Sequence, residues 1–447
     1  MTDPRTGRRL RTATVVAVAG GTLALLPLTG AFAGGGGSAH GGGGHGGGHA
    51  DGHPRSVIFI TGDGMGAAHR EAARLDQVGF DGQLAMDSLP IAGLQTTDAR
   101  DPEDTVTDSA AGASAWATGV KTYNGAISVD VDGEPLPTVG QQVEDAGLAG
   151  GIVTTAQVTD ASPAAFFANS TDRAAQDDIA RQYLERSRPE VVLGGGEDWW
   201  LPAGDEGTHP PRTGDTEDPE VSRSTQGDLV ARAQAQGYEY VSTAEEFAAA
   251  GSGPLLGLFA NEEMFQQRPE GQGDEFDPAV SLADMTTKAL DVLSQDEDGF
   301  FLLVEEEAVD EMAHNDNGTR VLEAMRSLDA AVAVARAYVA EHPDTLLVVT
   351  GDHETGGLAI EDVDPEDESG PGGTLDPSIA GGTESGEDGP FAVAGTGGAH
   401  DFALDWTTTA HTGVPTVVTA EGPGSEDLTG YYPNTHLYDV VTSVLFG

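Results

Sequence analysis

Along this chain, short runs of β-branched and aromatic residues alternate with longer stretches whose apolar positions recur at helical spacing. Ser56-Val-Ile-Phe-Ile-Thr61 has the continuous apolar character of a strand covered on both faces. The tight Gly62-Asp-Gly-Met-Gly66 and a helical pattern to about Val78 follow it. Further strands are predicted from Gly151 to Thr155, Glu190 to Leu193, Phe300 to Val304, Thr345 to Thr350 and Thr416 to Thr419. Between them, helical periodicity marks Thr138 to Ala146, Ala174 to Arg186, Gln226 to Gln236, Ala279 to Leu293 and Arg320 to Glu341. This alternation predicts an α/β fold: a single large domain over residues 55–447, with a mostly parallel central sheet and helices on both faces.

Several segments break the pattern. Ala203 to Arg223 is polar and Pro-rich, and Glu361 to Pro390 is acidic and Gly-rich without periodicity, so both read as surface insertions. At the N-terminus, Arg8, Arg9 and Arg11 precede the apolar stretch Val15 to Leu28, and Ala31-Phe32-Ala33 offers a small-x-small cleavage site. Residues 1–33 therefore read as an export signal, which places the protein in an extracellular, cell-wall or periplasmic space; an uncleaved signal would act as a membrane anchor. Residues 34–54 form a Gly-rich leader carrying His40, His45, His49 and His53, too poor in apolar residues to pack.

Composition narrows the class. The formal net charge is -53, and Lys121 and Lys288 are the only lysines. Such a surface repels phosphate chains, which argues against nucleic acid as a partner. It fits a salt-adapted protein or a secreted acidic one. With no cysteine among the 447 residues, any metal must be held by His, Asp, Glu and hydroxyls.

In an open α/β sheet, ligands gather at the carboxyl ends of the strands. Asp63, Glu305, Asp352 and His353 each fall just past a predicted strand, on that one edge. Turn formation explains any one of these acids but poorly explains the set. Asp310 and His314 are four apart, so one helical turn presents both on the same side. His411 lies in Thr408-Thr-Ala-His-Thr-Gly413, and Asp160-Ala-Ser162-Pro163 has the form of a helix entry. In Val106-Thr-Asp-Ser-Ala-Ala-Gly-Ala-Ser-Ala-Trp-Ala-Thr-Gly119, Asp108 and Ser109 precede a run of small residues. Ser109 is predicted at a helix start, as an N-cap or as a presented nucleophile. Asp63, Asp108, Asp160, Glu305, Asp310 and Asp352 in one cleft would carry six negative charges, which three divalent cations balance. Imidazole with carboxylate suits zinc, and all-oxygen ligation suits magnesium.

These blocks, together with Asp172-Arg173 and Val349-Thr-Gly-Asp-His-Glu-Thr-Gly-Gly357, resemble the metal-dependent alkaline phosphatases of the bacterial and animal type. The resemblance spans nearly all of residues 55–447 and implies hydrolysis of small phosphate monoesters. It implies Ser109 as a nucleophile that becomes phosphorylated, Arg173 as a clamp on two phosphate oxygens, and Asp108 as the carboxylate aligning it. It further implies one zinc on Asp310, His314 and His411 and a second on Asp63, Asp352 and His353. A magnesium would bridge from Asp63 to Ser162 and Glu305, with Asp160 holding its waters. A homodimer is the assembly the resemblance suggests. The chain departs from the family at Glu311, where Lys, His or Trp is frequent, and at Ser162, where Thr is common. Glu311 should weaken phosphate binding or alter the metal shell.

Three other readings compete. A phosphodiesterase of the same superfamily usually lacks the third metal, for which Glu305 and Ser162 supply ligands. A sulfatase needs Cys/Ser-x-Pro-x-Arg, which Ser109-Ala-Ala-Gly-Ala does not provide. A secreted metal- or Ca²⁺-binding protein would account for the acidic loops and the His tract but would not require Ser109 or Arg173.

Overall fold

A computed structural model describes residues 55–209, 221–363 and 387–447. The predicted export signal and Gly/His leader lie outside the described residues, as does most of the acidic segment. Fifteen strands are described: β1 Ser56–Gly62, β2 Ile91–Thr96, β3 Ala149–Gln157, β4 Val191–Gly195, β5 Glu239–Val241, β6 Leu255–Leu258, β7 Phe300–Glu306, β8 Thr345–Thr350, β9 Glu354–Thr355, β10 Leu358–Asp362, β11 Glu387–Ala392, β12 Asp401–Trp406, β13 His411–Thr412, β14 Thr416–Glu421 and β15 Gly430–Pro433. Ten of them form one sheet in the order β15-β2-β14-β8-β1-β7-β3-β4-β6-β5. Its neighbours pair in parallel except at β14, which runs antiparallel to both β8 and β2.

Every residue of β1, β7 and β8 is buried, as continuous apolar runs in a parallel sheet require. Strand alternation sorts their side chains into two layers. Ile58, Ile60, Leu302, Val304, Leu347 and Val349 pack with the helices Ala67–Val78, Leu282–Leu293 and Gly318–Glu341. Val57, Phe59, Phe301, Leu303, Leu346 and Val348 pack on the opposite face with Ser109–Thr118, Val139–Ala146, Ala161–Phe167 and His436–Phe446. The α/β fold with helices on both faces is thus present. Among the described residues, no helix is long and apolar enough to cross a membrane.

The structure differs from the sequence reading in several places, and elements such as β9, β12, β13 and the helices Ala244–Ala249 and His436–Phe446 were not predicted. Strands β2, β5, β6 and β15 were not predicted; they are short or lie toward the sheet edges, where periodicity is weakest. The predicted helix Ala174 to Arg186 is α-helical only over Gln176–Gln182 and continues as a π-turn, Tyr183–Ser187. The acidic segment read as a surface insertion carries strand at both its ends: β10 and β11 overlap them and pair with β12 in a three-stranded sheet. Their partner β12 lies beyond the loop, so local pattern does not reveal the pairing. Last, Asp108 rather than Ser109 is the N-cap of the helix Ser109–Thr118.

Candidate active site

The register of the central strands sets the site. Thr61 stands level with Glu305 on β7 and with Thr350 on β8. The chain therefore leaves three adjacent parallel strands at one edge, carrying Asp63, Glu305, Asp352 and His353 with it. Gly64 holds a left-handed φ of 67°, and a Cβ there would meet Asp310 Oδ1 at 2.6 Å. This close turn lets the Gly64 N–H donate to Asp352 Oδ1 at 3.1 Å.

The helix Ser109–Thr118 is buried along its whole length, and its small residues allow that. A Cβ on Gly112 would come within 3.2 Å of Asp352 Cβ. Asp108 caps the helix by accepting from the Ala111 N–H at 2.9 Å through Oδ1, while Oδ2 accepts from the Gly125 N–H at 2.9 Å. With its N-terminus held on both sides, the helix presents Ser109 Oγ 3.4 Å from Asp63 Oδ1 and 3.3 Å from His353 Nε2. Gln95, which the sequence did not single out, locks the helix to the strand ends. It accepts from the Trp116 indole N–H and donates to Thr350, Thr416 and the Gly351 carbonyl.

The histidines converge next to Ser109. His314 closes the short helix Ala308–Ala313 that begins after β7, and His411 begins β13. Their Nδ1 atoms donate to the carbonyls of Thr409 at 2.6 Å and Thr107 at 2.9 Å. Carbonyls only accept, so the neutral rings must turn Nε2 lone pairs toward each other across 3.1 Å. Asp310 Oδ2 lies 3.1 Å from His314 Nε2, and Asp310 Oδ1 lies 3.6 Å from His411 Nε2. Acceptors crowded this closely repel unless a cation or proton lies among them. His353 repeats the arrangement: its Nδ1 meets the Thr355 hydroxyl, which donates to Asp310. Its Nε2 is thereby left 3.1 Å from Asp352 Oδ2 and 3.4 Å from Asp63 Oδ1. Asp352 Oδ2 is buried without a hydrogen-bond donor.

Among the described residues, two groups therefore offer ligand atoms mutually within 4.8 Å: Asp310, His314 and His411, and Asp63, Asp310 and His353. The second differs from the predicted set in that Asp310 stands with both groups, while Asp352 reaches the second through its contact with His353. The donor chemistry fits zinc-like ions. On the other side of Asp63, Glu305 is fully buried and accepts from Thr154 at 2.7 Å. Ser162 faces Glu305 closely enough for its hydroxyl to favour the carboxylate's charge, without a hydrogen bond of ordinary geometry. This oxygen-only set suits magnesium.

Proton affinities report the same demand for positive charge. Burial pushes Asp63 well up, and Asp352, Asp310 and Glu305 add to it. Burial lifts Glu305 to about 8 and Asp352 to about 6. Burial disfavours charge on His314, but the hydrogen bond and charge of Asp310 outweigh it and raise the ring to about 9. Burial would likewise raise Asp310, yet hydrogen bonds from His314 and His411 hold it well below the usual carboxylate range. Burial, with His411 alongside, keeps His353 neutral.

Arg173 completes the set. Its Nη2 is 3.1 Å from both oxygens of Asp160, and its Nη1 is 3.4 Å from Asp108 Oδ2. Asp160 occupies the N-cap position of the helix Ala161–Phe167 but caps no N–H; its carboxylate is turned to Arg173 instead. Asp160 was expected near magnesium waters, and in the structure it is the principal partner of Arg173, ahead of Asp108. An open cleft of about 340 Å³ borders the site, lined by Asp104, Asp108, Asn124, His314 and His411 among others. Sequence reasoning missed Thr355, Thr154 and Gln95, which orient the ligand residues. Thr355 was within reach, since it lies inside the quoted block Val349 to Gly357.

Residues 54–372 match the family model described as alkaline phosphatase. The streptomycin-6-phosphate phosphatase of Streptomyces griseus is 35% identical over 443 residues, covering 88% of this chain and 90% of that protein. The crystal structure of the cold-active alkaline phosphatase from the psychrophile Shewanella sp. is 30% identical with a TM-score of 0.68, covering 88% of this chain and all of that one. A mutant of the alkaline phosphatase from the Antarctic bacterium TAB5, with Mg bound in its M3 site, shares the fold at 24% identity and a TM-score of 0.67, covering 88% of this chain and 98% of that one. A family match over most of the chain, together with a relative at 35% identity, decides the assignment: this chain belongs to the alkaline phosphatase family and is a phosphatase-type hydrolase.

Proposed function

We propose that the protein hydrolyses phosphate monoesters through a phosphoserine at Ser109, with two zinc ions and one magnesium. The observation that carries this reading is the placement of Ser109 Oγ beside Asp63 and His353, with His314 and His411 turned Nε2 to Nε2 nearby. One zinc belongs to Asp310, His314 and His411, and the second to Asp63, Asp352 and His353. The magnesium belongs to Asp63, Ser162 and Glu305. When bound, these ions supply Lewis acidity that lowers the proton affinity of the serine hydroxyl, the leaving oxygen and the attacking water.

The chain's own residues do the rest. Arg173 takes two phosphoryl oxygens in its planar fork and is held for that task by Asp160 and Asp108. Ser109 Oγ forms a bond to phosphorus while the bond to the alcohol oxygen breaks and that oxygen leaves with a proton. Water then attacks phosphorus and releases Ser109 and inorganic phosphate. Family membership and the open cleft support a small monoester, and the Streptomyces griseus relative suggests that a dedicated substrate deserves testing beside a general one.

With zinc and magnesium present, the protein should hydrolyse p-nitrophenyl phosphate at alkaline pH far faster than bis-p-nitrophenyl phosphate. Streptomycin-6-phosphate tests for the narrower specificity. Activity only on the diester contradicts the proposal in favour of a phosphodiesterase. Metal binding without either activity would leave a metal-binding protein. Export to an extracellular, cell-wall or periplasmic space belongs to the same proposal.

A further inference from the structure

Two histidines of the site stand on very different supports. His353 is fully buried just past β8, whereas His411 lies on the connection between β12 and β14, where Thr407, Ala410, Gly413 and Val414 are exposed. A segment with so few buried contacts opens easily, yet a metal ligand must be held still if the metal is to bind tightly. The strand in this connection is β13, two residues long and paired with β9. In that pairing His411 stands level with Thr355, and Thr412 with Glu354.

Glu354 supplies what so short a pairing lacks. The residue is buried, and both of its carboxylate oxygens are used. Oε2 accepts from the hydroxyl of Thr412, the neighbour of His411. Oε1 accepts from the Leu358 N–H at 2.9 Å, where β10 begins. The turn after β1 makes room for this side chain. Gly66 has ordinary extended dihedrals, φ -82° and ψ 177°, but a Cβ added there would run into Glu354 Cγ. Packing alone does not call for an acid here. Burying a carboxylate is costly, and exchanging such a polar pair for apolar groups of the same shape can be nearly neutral. His69, within reach of the Glu354 charge, is not its counter-ion: its Nδ1 accepts from the Gly66 N–H at 3.2 Å, so that nitrogen carries no proton.

We propose that Glu354 is a positioning residue for the metal site: through Thr412 it latches the strand of His411 against β9. The latch keeps His411 Nε2 at 3.1 Å from His314 Nε2 and 3.6 Å from Asp310 Oδ1. The inference rests on the metal-dependent reading above, in which Asp310, His314 and His411 hold one zinc. Glu354 touches neither the ion nor the substrate; it acts on them through the backbone that Thr412 shares with His411.

The test compares full-length wild type with Glu354→Ala, Glu354→Gln, Thr412→Val and Thr412→Ser, measuring zinc affinity by competition with a chelator. Glu354→Ala and Thr412→Val should each weaken zinc binding about 10- to 100-fold and leave magnesium unchanged. Glu354→Gln keeps an acceptor for Leu358 and offers an N–H to the Thr412 oxygen, and Thr412→Ser keeps the hydroxyl, so both should stay near wild type. Gly66→Ala displaces the same side chain from the other side; it should weaken zinc by itself and add little to Glu354→Ala. Hydrogen exchange over residues 407–415 in metal-free protein reads the latch without any ion. Exchange there should quicken in Glu354→Ala and Thr412→Val and return to the wild-type rate in Glu354→Gln and Thr412→Ser. If wild type binds no zinc, the metal-dependent reading fails, and exchange still decides the latch. Thr412→Val lies on the partly exposed segment and serves if Glu354→Ala does not fold. Wild-type exchange in Thr412→Val overturns the proposal. So does a Glu354→Gln that loses as much as Glu354→Ala, which would mean action by charge, or exchange that quickens across the whole protein, which would mean loss of fold.

Discussion

On one side of Ser109, His314 and His411 stand on a helix end and a two-residue strand, with side chains 29% and 19% exposed. On the other side, Glu305 and Ser162 are buried at a strand end and in a helix's first turn, among Thr154 and further carboxylates. The histidine side can accept protons in place of cations, because rings held by backbone carbonyls turn basic nitrogens onto Asp310. The carboxylate side has no base other than carboxylates, so in the absence of a cation it can only protonate itself. The same count of missing positive charge is thus met in two ways, and the two sides should respond differently to mutation, metal removal and pH.

The largest difference is expected from ligand loss. His411→Ala should remove zinc and lower kcat on the order of a thousandfold or more, since serine activation depends on that side. Glu305→Gln should remove magnesium, leave zinc in place and cost between about ten- and a hundredfold, a loss of the size seen when supporting groups around a metal are removed. Metal analysis alongside kinetics checks both; if Glu305→Gln empties the zinc positions, the two sides are not separable. Thr355→Val probes the seam, because the Thr355 hydroxyl joins Asp310 to His353. It should weaken zinc affinity about 10- to 100-fold, measured by competition with a chelator, and leave magnesium affinity unchanged.

A smaller effect is expected at the phosphate clamp. Arg173→Lys keeps the charge but loses the fork, which should lower kcat/KM by about tenfold. Asp160→Asn should disturb the clamp more than Asp108→Asn, since Asp160 meets Arg173 with both oxygens at 3.1 Å and Asp108 with one at 3.4 Å. A larger effect at Asp108 would mean that capping of the Ser109 helix outweighs alignment of Arg173.

The subtlest signal is pH-dependent stability after metal removal. A carboxyl whose folded proton affinity is raised binds more protons folded than unfolded, so stability falls as pH rises through the folded value. Glu305 and Glu311, ordinarily near 4.5 and lifted to about 8, set that window. Metal-free protein should therefore lose thermal stability steadily from about pH 4.5 to pH 8, while the holoenzyme should change far less over that interval. Parallel Tm profiles for the two forms would contradict the view that cations compensate the carboxylate side.

Much of this was legible in the sequence because parallel strands buried on both faces leave continuous apolar runs, and the residues after such runs must share one edge of the sheet. Asp63, Glu305, Asp352 and His353 were found in that way. Asp310 and His314 followed from helical spacing, while Ser109, Arg173 and His411 gained their roles from family resemblance. The helix cap was misassigned to Ser109 because Asp and Ser both cap well and spacing alone does not decide between them. Asp160 reads in sequence as a helix entry, and its contact with Arg173 shows only because the fold turns its carboxylate away from the helix N-terminus. Gln95 is 255 residues from Thr350, which accepts its hydrogen bond, so no local pattern announces it.

Covalent transfer to Ser109 is the central claim, and acid quenching during turnover tests it most directly. Holoenzyme mixed with p-nitrophenyl phosphate, stopped in acid and digested, should yield one peptide carrying a single phosphoryl group on Ser109. Ser109→Ala, with its metals still bound, should yield none and should lose turnover. Turnover without any phosphopeptide, or a phosphoryl group on another residue, would contradict the account.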